Sequence, residues 1–201
     1  MTAPAKTIGK HIGNFLTDLE VGKVGERATC QYLHYVAPES IIDDVSKVSE
    51  YQKKDIDFLV TLDGNTTPIE VKTANDRSYK AHTFEVIANT NKQSPGAVYA
   101  SQAAYMVYWS TELDRLYFYD LPLLASYVRE NESRYKKSYV KNKTYWTVVS
   151  IIPRLDLVNA GILDMIVQRQ DDGITWRAVS DPDLLRTIAP QRYREDKKFL
   201  C

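Results

Sequence analysis

The chain has 201 residues, with 26 Lys and Arg against 26 Asp and Glu, so its formal net charge is zero. That length suits one domain with a sizeable core, and the balanced charge is not that of a uniformly basic nucleic-acid binder. Two cysteines, Cys30 and Cys201, make no disulfide framework, no Cys/His spacing suits zinc, and no run of about 18 apolar residues offers a membrane span.

Residues 1–13 read as a loose arm whose sequence lacks the apolar core of a signal peptide. With so few cysteines, a reducing cytoplasm is the expected location. From Asn14 to about Ala37 a helical period is visible. Gly22 and Gly25 weaken helix propensity in its middle, so the segment reads as a helix pair or a kinked helix. Cys30, Leu33 and Ala37 form an apolar stripe at spacings of three and four. Extended backward, the stripe lands on Glu26, and a carboxylate in line with a buried face is costly unless it has a partner or a task. Ala37-Pro38-Glu39-Ser40 breaks the helix. Ile41 to Val48 reads as a strand, with Asp43 and Asp44 awkward inside it.

The stretch Lys54 to Thr73 carries the densest chemistry. Ile56, Phe58, Val60 and Leu62 alternate as in a strand, Asp63-Gly64-Asn65-Thr66 is turn chemistry, and Pro68, Ile69 and Val71 rebuild the alternation. If Leu62 faces Thr67 across the turn, Asp57 stands opposite Lys72 and Leu59 opposite Glu70. Asp57, Glu70 and Lys72 then share one face, with Ile69 and Val71 on the other. Two carboxylates and an ammonium on one sheet face suggest a site for a hard cation with a cationic helper. Asp55 is the rival of Asp57, two residues away on the same expected face; Asp57 is preferred because the register places it by Lys72.

Asp57 followed by Glu70-Val71-Lys72 resembles the active-site hairpin of the PD-(D/E)XK nuclease superfamily, which includes restriction endonucleases and Holliday junction resolvases. Ile56 stands where that family's name has proline. The string Lys23-Val24-Gly25-Glu26-Arg27 is similar to the first helix of resolvase-like members, in which a glutamate after a glycine joins the metal site. The resemblance covers about residues 22–122. It implies an α/β (α+β) fold with a restriction-endonuclease-like αβββαβ core, a central mixed sheet flanked by helices. The nuclease-like domain would span 1–165, with its core at about 14–130, and 166–201 would be a C-terminal extension of hairpin or short helix plus charged tail. The resemblance further implies a Mg²⁺-dependent DNA endonuclease or junction resolvase, with Mn²⁺ expected to substitute. Its catalytic set would be Glu26, Asp57, Glu70 and Lys72, and its metal ligands Asp57, Glu70, the Val71 carbonyl and Glu26. Lys72 would keep its proton beside two carboxylates and so position rather than deprotonate. DNA is the expected partner, with RNA left open; many members are dimers, and no membrane is expected. The competing expectation is a non-catalytic module on the same fold that binds nucleic acid or protein.

Beyond the hairpin, residues 74–80 read as a polar loop and His82 to Ala88 as a strand, with Glu85 either binding a second metal or making a structural pair. Tyr99–Ser110 and Leu116–Leu121 are near-continuous apolar runs joined by a charged turn, as in central strands covered on both faces. Phe84-Glu85, Gly96, Ser101, Tyr105 and the Asp120-Leu121-Pro122 junction resemble a class of phage and bacterial nuclease-like proteins, although Ala104 stands where that class often carries an acid. Pro122 fits a first helical turn. Residues 129–146 read as a basic linker with interleaved Tyr135, Tyr139, Tyr145 and Trp146, a composition that can track phosphates and stack bases. Trp146–Ile152 reads as a strand, Leu155–Val167 as core, Asp172-Gly173 as a hairpin turn, Ser180–Ile188 as a short helix and Ala189–Cys201 as a tail. Candidate substrate contacts are Arg77, Lys80, His82, Arg134, Lys136 and Lys137.

Overall fold

Strands dominate the architecture of the computed structural model, which describes residues 15–74, 81–111 and 113–179. In chain order the elements are α1 (Phe15–Val36), β1 (Ile41–Asp44), α2 (Ser49–Gln52), β2 (Phe58–Leu62), β3 (Asn65–Ala74), β4 (Ala81–Asn89), β5 (Ser94–Pro95) and α3 (Ala97–Ala100). There follow β6 (Tyr105–Ser110), β7 (Arg115–Asp120), α4 (Leu121–Asn131), β8 (Lys136–Lys141), β9 (Trp146–Pro153), α5 (Arg154–Asn159), β10 (Leu163–Arg169) and β11 (Trp176–Ala178). They form a mixed α/β fold. A seven-stranded sheet runs β1-β2-β3-β6-β7-β10-β11, and a four-stranded sheet runs β5-β4-β9-β8. The large sheet is mixed because β3 and β6 pair in parallel, Ile69 with Tyr105 through Ala74 with Ser110. Among the described residues no helix is long and apolar enough to cross a membrane.

Two cores cover the two faces of the large sheet. On one face Met106, Tyr108, Tyr117 and Tyr119 meet Phe84, Val86, Val148 and Ile152 of the small sheet, with Leu124 and Val128 of α4. On the other, Val107, Trp109, Phe118, Phe58, Val60, Ile69 and Val71 meet Ala28, Tyr32 and Leu33 of α1. Residues 106–109 of β6 and 116–119 of β7 are therefore apolar or aromatic at every step, because each face has a cover. The junction into α4 is set locally. Asp120 caps the helix, its Oδ1 accepting from the Leu123 N–H at 2.9 Å, and Pro122 occupies the first turn, where its missing N–H costs nothing.

Several expectations change. Helix α1 is one unbroken helix through both glycines. The strand expected over Ile41–Val48 ends at Asp44. The run from Tyr99 is not all strand, since α3 ends at Ala100 and β6 begins at Tyr105. The β2–β3 turn has two residues, Asp63 and Gly64, at φ +50° and +79°. Leu62 pairs with Asn65 and Phe58 with Ile69, so one further step places Asp57 level with Glu70 rather than Lys72. A shift of two residues preserves the face of every side chain, so Asp57, Glu70 and Lys72 still share one. Asp55 lies outside the strand, in a turn at φ +48°. The basic stretch is not a linker but contains β8, paired with β9 from Lys136–Ile151 to Lys141–Trp146. The turn at Asp172-Gly173 closes the β10–β11 hairpin as expected. Arg77, Lys80, the expected helix at Ser180–Ile188 and the tail lie outside the described residues.

Candidate active site

The site forms where β2 begins beside β3 and α1 packs on β3. Gly25 allows the helix to approach closely. A Cβ there would overlap Thr73 Oγ1 and stand 3.2 Å from Trp109 Cβ. Thr73 Oγ1 in turn donates to the Gly22 carbonyl at 3.3 Å. The next helical residue, Glu26, lines a cleft of about 340 Å³ together with Ser46, Gln52, Asp55, Ile56, Asp57, Glu70, Val71 and Lys72. The cleft therefore gathers all four expected catalytic residues, from α1, from β3 and from the residue just before β2.

Asp57 is fixed from two sides. Its N–H donates to the Ile69 carbonyl at 2.9 Å, and its carboxylate Oδ2 accepts from the Val71 N–H at 2.8 Å. The N–H and C=O of a strand residue leave the same edge of the strand, so the Val71 carbonyl also leaves β3 on the side of Asp57. Glu70 is 3 % exposed and forms an ion pair with Lys72, whose side chain is partly exposed. Glu70 and Lys72 are two residues apart on one face, which is what lets them meet.

The charges in the cleft oppose one another. Burial, and then the charge of Asp57, push the Glu70 carboxyl up to about 8 against the pull of Lys72. Asp57 is raised by burial, then restrained by the Val71 N–H and Lys72. Glu26 is raised by burial, then by Asp57 and Asp44. Burial acts most strongly on Lys72 and would lower its pKa, but Glu70, Asp57 and Asp55 together raise it. The net direction for Lys72 is upward, toward the ammonium form. A carboxylate set that burial and mutual repulsion hold toward the neutral form, at the rim of an open cleft, is one that a hard divalent cation would relieve. The donor types present, carboxylates with a backbone carbonyl, are those a hard ion takes. Among the described residues, no group of three or more His, Cys, Asp or Glu side chains is placed so that it could hold a metal ion.

Asp55 shares the cleft with Asp57, and its carbonyl accepts from Ser101 Oγ at 2.8 Å. The carboxylate bonded to β3 is that of Asp57, which favours Asp57 as the ligand. Sequence reasoning missed Ser46, Gln52 and the charge of Asp44. Asp44 accepts from the Ser46 hydroxyl at 2.6 Å and from its N–H at 3.0 Å, and Gln52 Nε2 donates to the Ser46 carbonyl at 2.9 Å. The signal was the acidic pair Asp43-Asp44 in an otherwise apolar run.

Other candidates sit elsewhere. His82 is no substrate contact. It is 1 % exposed, stacked on Tyr108 at 4.4 Å between ring centroids, edge-on to Tyr117, and hydrogen-bonded through Nδ1 to the Tyr119 hydroxyl. Burial, and then Arg154, depress its pKa to about 3, so it is a neutral core residue. Glu85 takes its structural alternative, with Oε1 accepting from the Ala97 N–H at the start of α3 at 3.3 Å. Arg134, Lys136 and Lys137 do not line the cleft. Arg134 follows α4 and bonds Asn131 Oδ1 at 2.9 Å, while Lys136 and Lys137 open β8, and Lys137 pairs with Glu132. No family model matches the chain, and no curated protein matches it either.

Proposed function

We propose that this chain is a metal-dependent nuclease that hydrolyses phosphodiester bonds in DNA, of the endonuclease or junction-resolvase type. The observation that carries the reading is the buried Glu70, paired with Lys72 and facing Asp57 and Glu26 across one open cleft. Apart from the short helix α2 between β1 and β2, the order α1, β1, β2, β3, with a glutamate on the helix and Glu-x-Lys on the third strand, resembles the PD-(D/E)XK pattern.

Asp57, Glu70, Glu26 and the Val71 carbonyl would hold Mg²⁺ or Mn²⁺. A divalent ion there supplies an activated water and neutralises phosphate charge. The rest of the work belongs to the chain. The Val71 N–H holds one oxygen of Asp57, which directs the other into the cleft. Gly25 and Thr73 set how close Glu26 comes. Lys72, kept protonated by its acidic neighbours, is a hydrogen-bond donor with three N–H groups. It orients the attacking water or a non-bridging phosphate oxygen and offsets the phosphate charge.

The test is cleavage of linear duplex, single-stranded, branched and supercoiled DNA with Mg²⁺ or Mn²⁺, comparing wild type with Asp57→Asn and Lys72→Ala. Cutting that both substitutions reduce by at least about 100-fold fits removal of a ligand or an electrostatic donor. Salt-dependent DNA binding without cutting, unchanged in both variants, would instead favour a non-catalytic module.

A further inference from the structure

The small sheet carries a segment that the proposed chemistry does not use. From Lys136 to Trp146 the sequence KKSYVKNKTYW holds four lysines and no carboxylate. In a chain of zero net charge this segregates positive charge onto one hairpin. Strand β8 is the outer strand of its sheet. Side chains alternate along it, so Lys137, Tyr139 and Lys141 share one face, spaced by about 6.7 Å at each second residue. Lys141 pairs with Trp146 across the hairpin, and its ammonium lies 5.8 Å from the centroid of the Trp146 ring. Tyr139 is 48 % exposed and Trp146 36 %. Val148, opposite Tyr139, is buried, so the two aromatics extend the sheet face past the edge of the core. The core does not need them there.

Pairings and ring contacts connect the strand of Lys72 to the small sheet. Lys72 pairs with Tyr108 across β3 and β6. Tyr108 stacks on His82, and its hydroxyl lies 3.3 Å from Thr83 Oγ1. Thr83 pairs with Ile151, and Ile151 with Lys136. Two strand spacings, about 10 Å, therefore separate Lys136 from the β4 residue that touches the neighbour of Lys72.

Resting on the nuclease reading, we propose that the β8–β9 hairpin is a platform for an unpaired nucleic-acid strand that leaves the cleft. Bases stack on Tyr139 and Trp146, and Lys141 and Lys143 follow the phosphates. The occupant is a single strand rather than a duplex because the exposed groups alternate lysine with aromatic rings. Rings stack only on bases that are already unpaired, whereas a duplex offers its phosphates and keeps its base faces inside. The substrate of the cleft would then be a junction, flap or other structure with an unpaired arm.

The experiment is fluorescence polarisation of labelled oligothymidine, and of a duplex of equal length, with the full chain in EDTA, so that no cleavage is needed. Oligouridine in a parallel titration tells RNA from DNA as the source of the strand. Trp146→Ala and Tyr139→Ala should each weaken oligothymidine binding by about 5- to 100-fold and leave duplex binding within about two-fold. Lys141→Ala should flatten the salt dependence of single-strand binding by about 0.7 in log–log slope. Both aromatics are exposed, and unchanged thermal unfolding confirms that the variants fold. The proposal is overturned if Trp146→Ala and Tyr139→Ala bind oligothymidine like wild type, or lose single strand and duplex equally. Single-strand binding lost in the aromatic variants but kept in Asp57→Asn, in a protein that cuts nothing, would sink the nuclease reading and keep the platform. Cutting with aromatic-independent binding would do the reverse.

Discussion

Substituting Gly25 by alanine tests the contact that places Glu26. In an exposed helix interior Gly→Ala stabilises by about 1 kcal/mol. At Gly25 the added Cβ would overlap Thr73 Oγ1, with Trp109 Cβ at 3.2 Å and Thr73 Cβ at 3.3 Å. The hydroxyl can rotate away only by giving up its bond to the Gly22 carbonyl. The two Cβ atoms are fixed to strand backbone, so α1 itself must also move by a few tenths of an ångström. Overpacking of this kind costs about 1–3 kcal/mol, which leaves a net loss of up to about 2 kcal/mol after the propensity gain. Gly22 is the internal control, because nothing lies within 4 Å of a Cβ added there. Urea unfolding of the two alanine variants should therefore give opposite signs, with Gly22→Ala more stable than wild type and Gly25→Ala less. Adding Thr73→Ala to Gly25→Ala should restore part of the loss by removing the overlapping atom. In a cleavage assay Gly25→Ala should lose about 10- to 100-fold through the displaced Glu26, while Gly22→Ala keeps wild-type rates. Equal stabilisation by both alanines would refute the close packing of α1 on β3.

Other consequences can be measured on the same material. Glu70 has a folded pKa of about 8 against an ordinary 4.5, so the stability it contributes is intact below about pH 4.5 and is lost as pH rises to about 8. Glu70→Gln should accordingly match wild type near pH 4.5 and be the more stable by pH 7, by an amount on the order of 3 kcal/mol, the pull of Lys72 being already contained in that pKa; denaturation at several pH values reads this, and a pH-independent difference would contradict it. Asp120→Ala removes the α4 cap and should cost about 1 kcal/mol in urea unfolding without changing cation binding, since Asp120 does not line the cleft and its carboxylate bonds the Leu123 N–H.

What could be read from the sequence follows the range of the forces involved. Helix α1 was legible from Cys30, Leu33 and Ala37, and the start of α4 from Asp120 and Pro122, because caps and stripes are local. The β2–β3 hairpin was legible, but not its register. Asp63 tolerates positive φ beside Gly64, and the turn closes on two residues rather than four. The site survived that error because a two-residue slip preserves side-chain parity. The division into two sheets was not legible, since it depends on which strands meet in space. His82 was misjudged because its partners Tyr108, Tyr117 and Tyr119 come from distant strands. One local signal was present, however: His82, Phe84 and Val86 alternate on a single face, and all three are buried. β8 was hidden by its own charge. Its lysines suggest a loop, while Tyr139 and Val140 are strand formers that need only an edge on which to pair.

Glu26, Asp57 and Glu70 are proposed to form a site for a divalent cation. Isothermal titration of the full chain with Mn²⁺ near pH 8, where Glu70 ionises most readily, measures this without any substrate. The account predicts saturable binding that is lost in Asp57→Asn and Glu70→Gln and weakened in Glu26→Gln, with heats that diminish as pH falls and protons compete for the carboxylates. Absence of binding in wild type, or binding that all three variants retain, would contradict it.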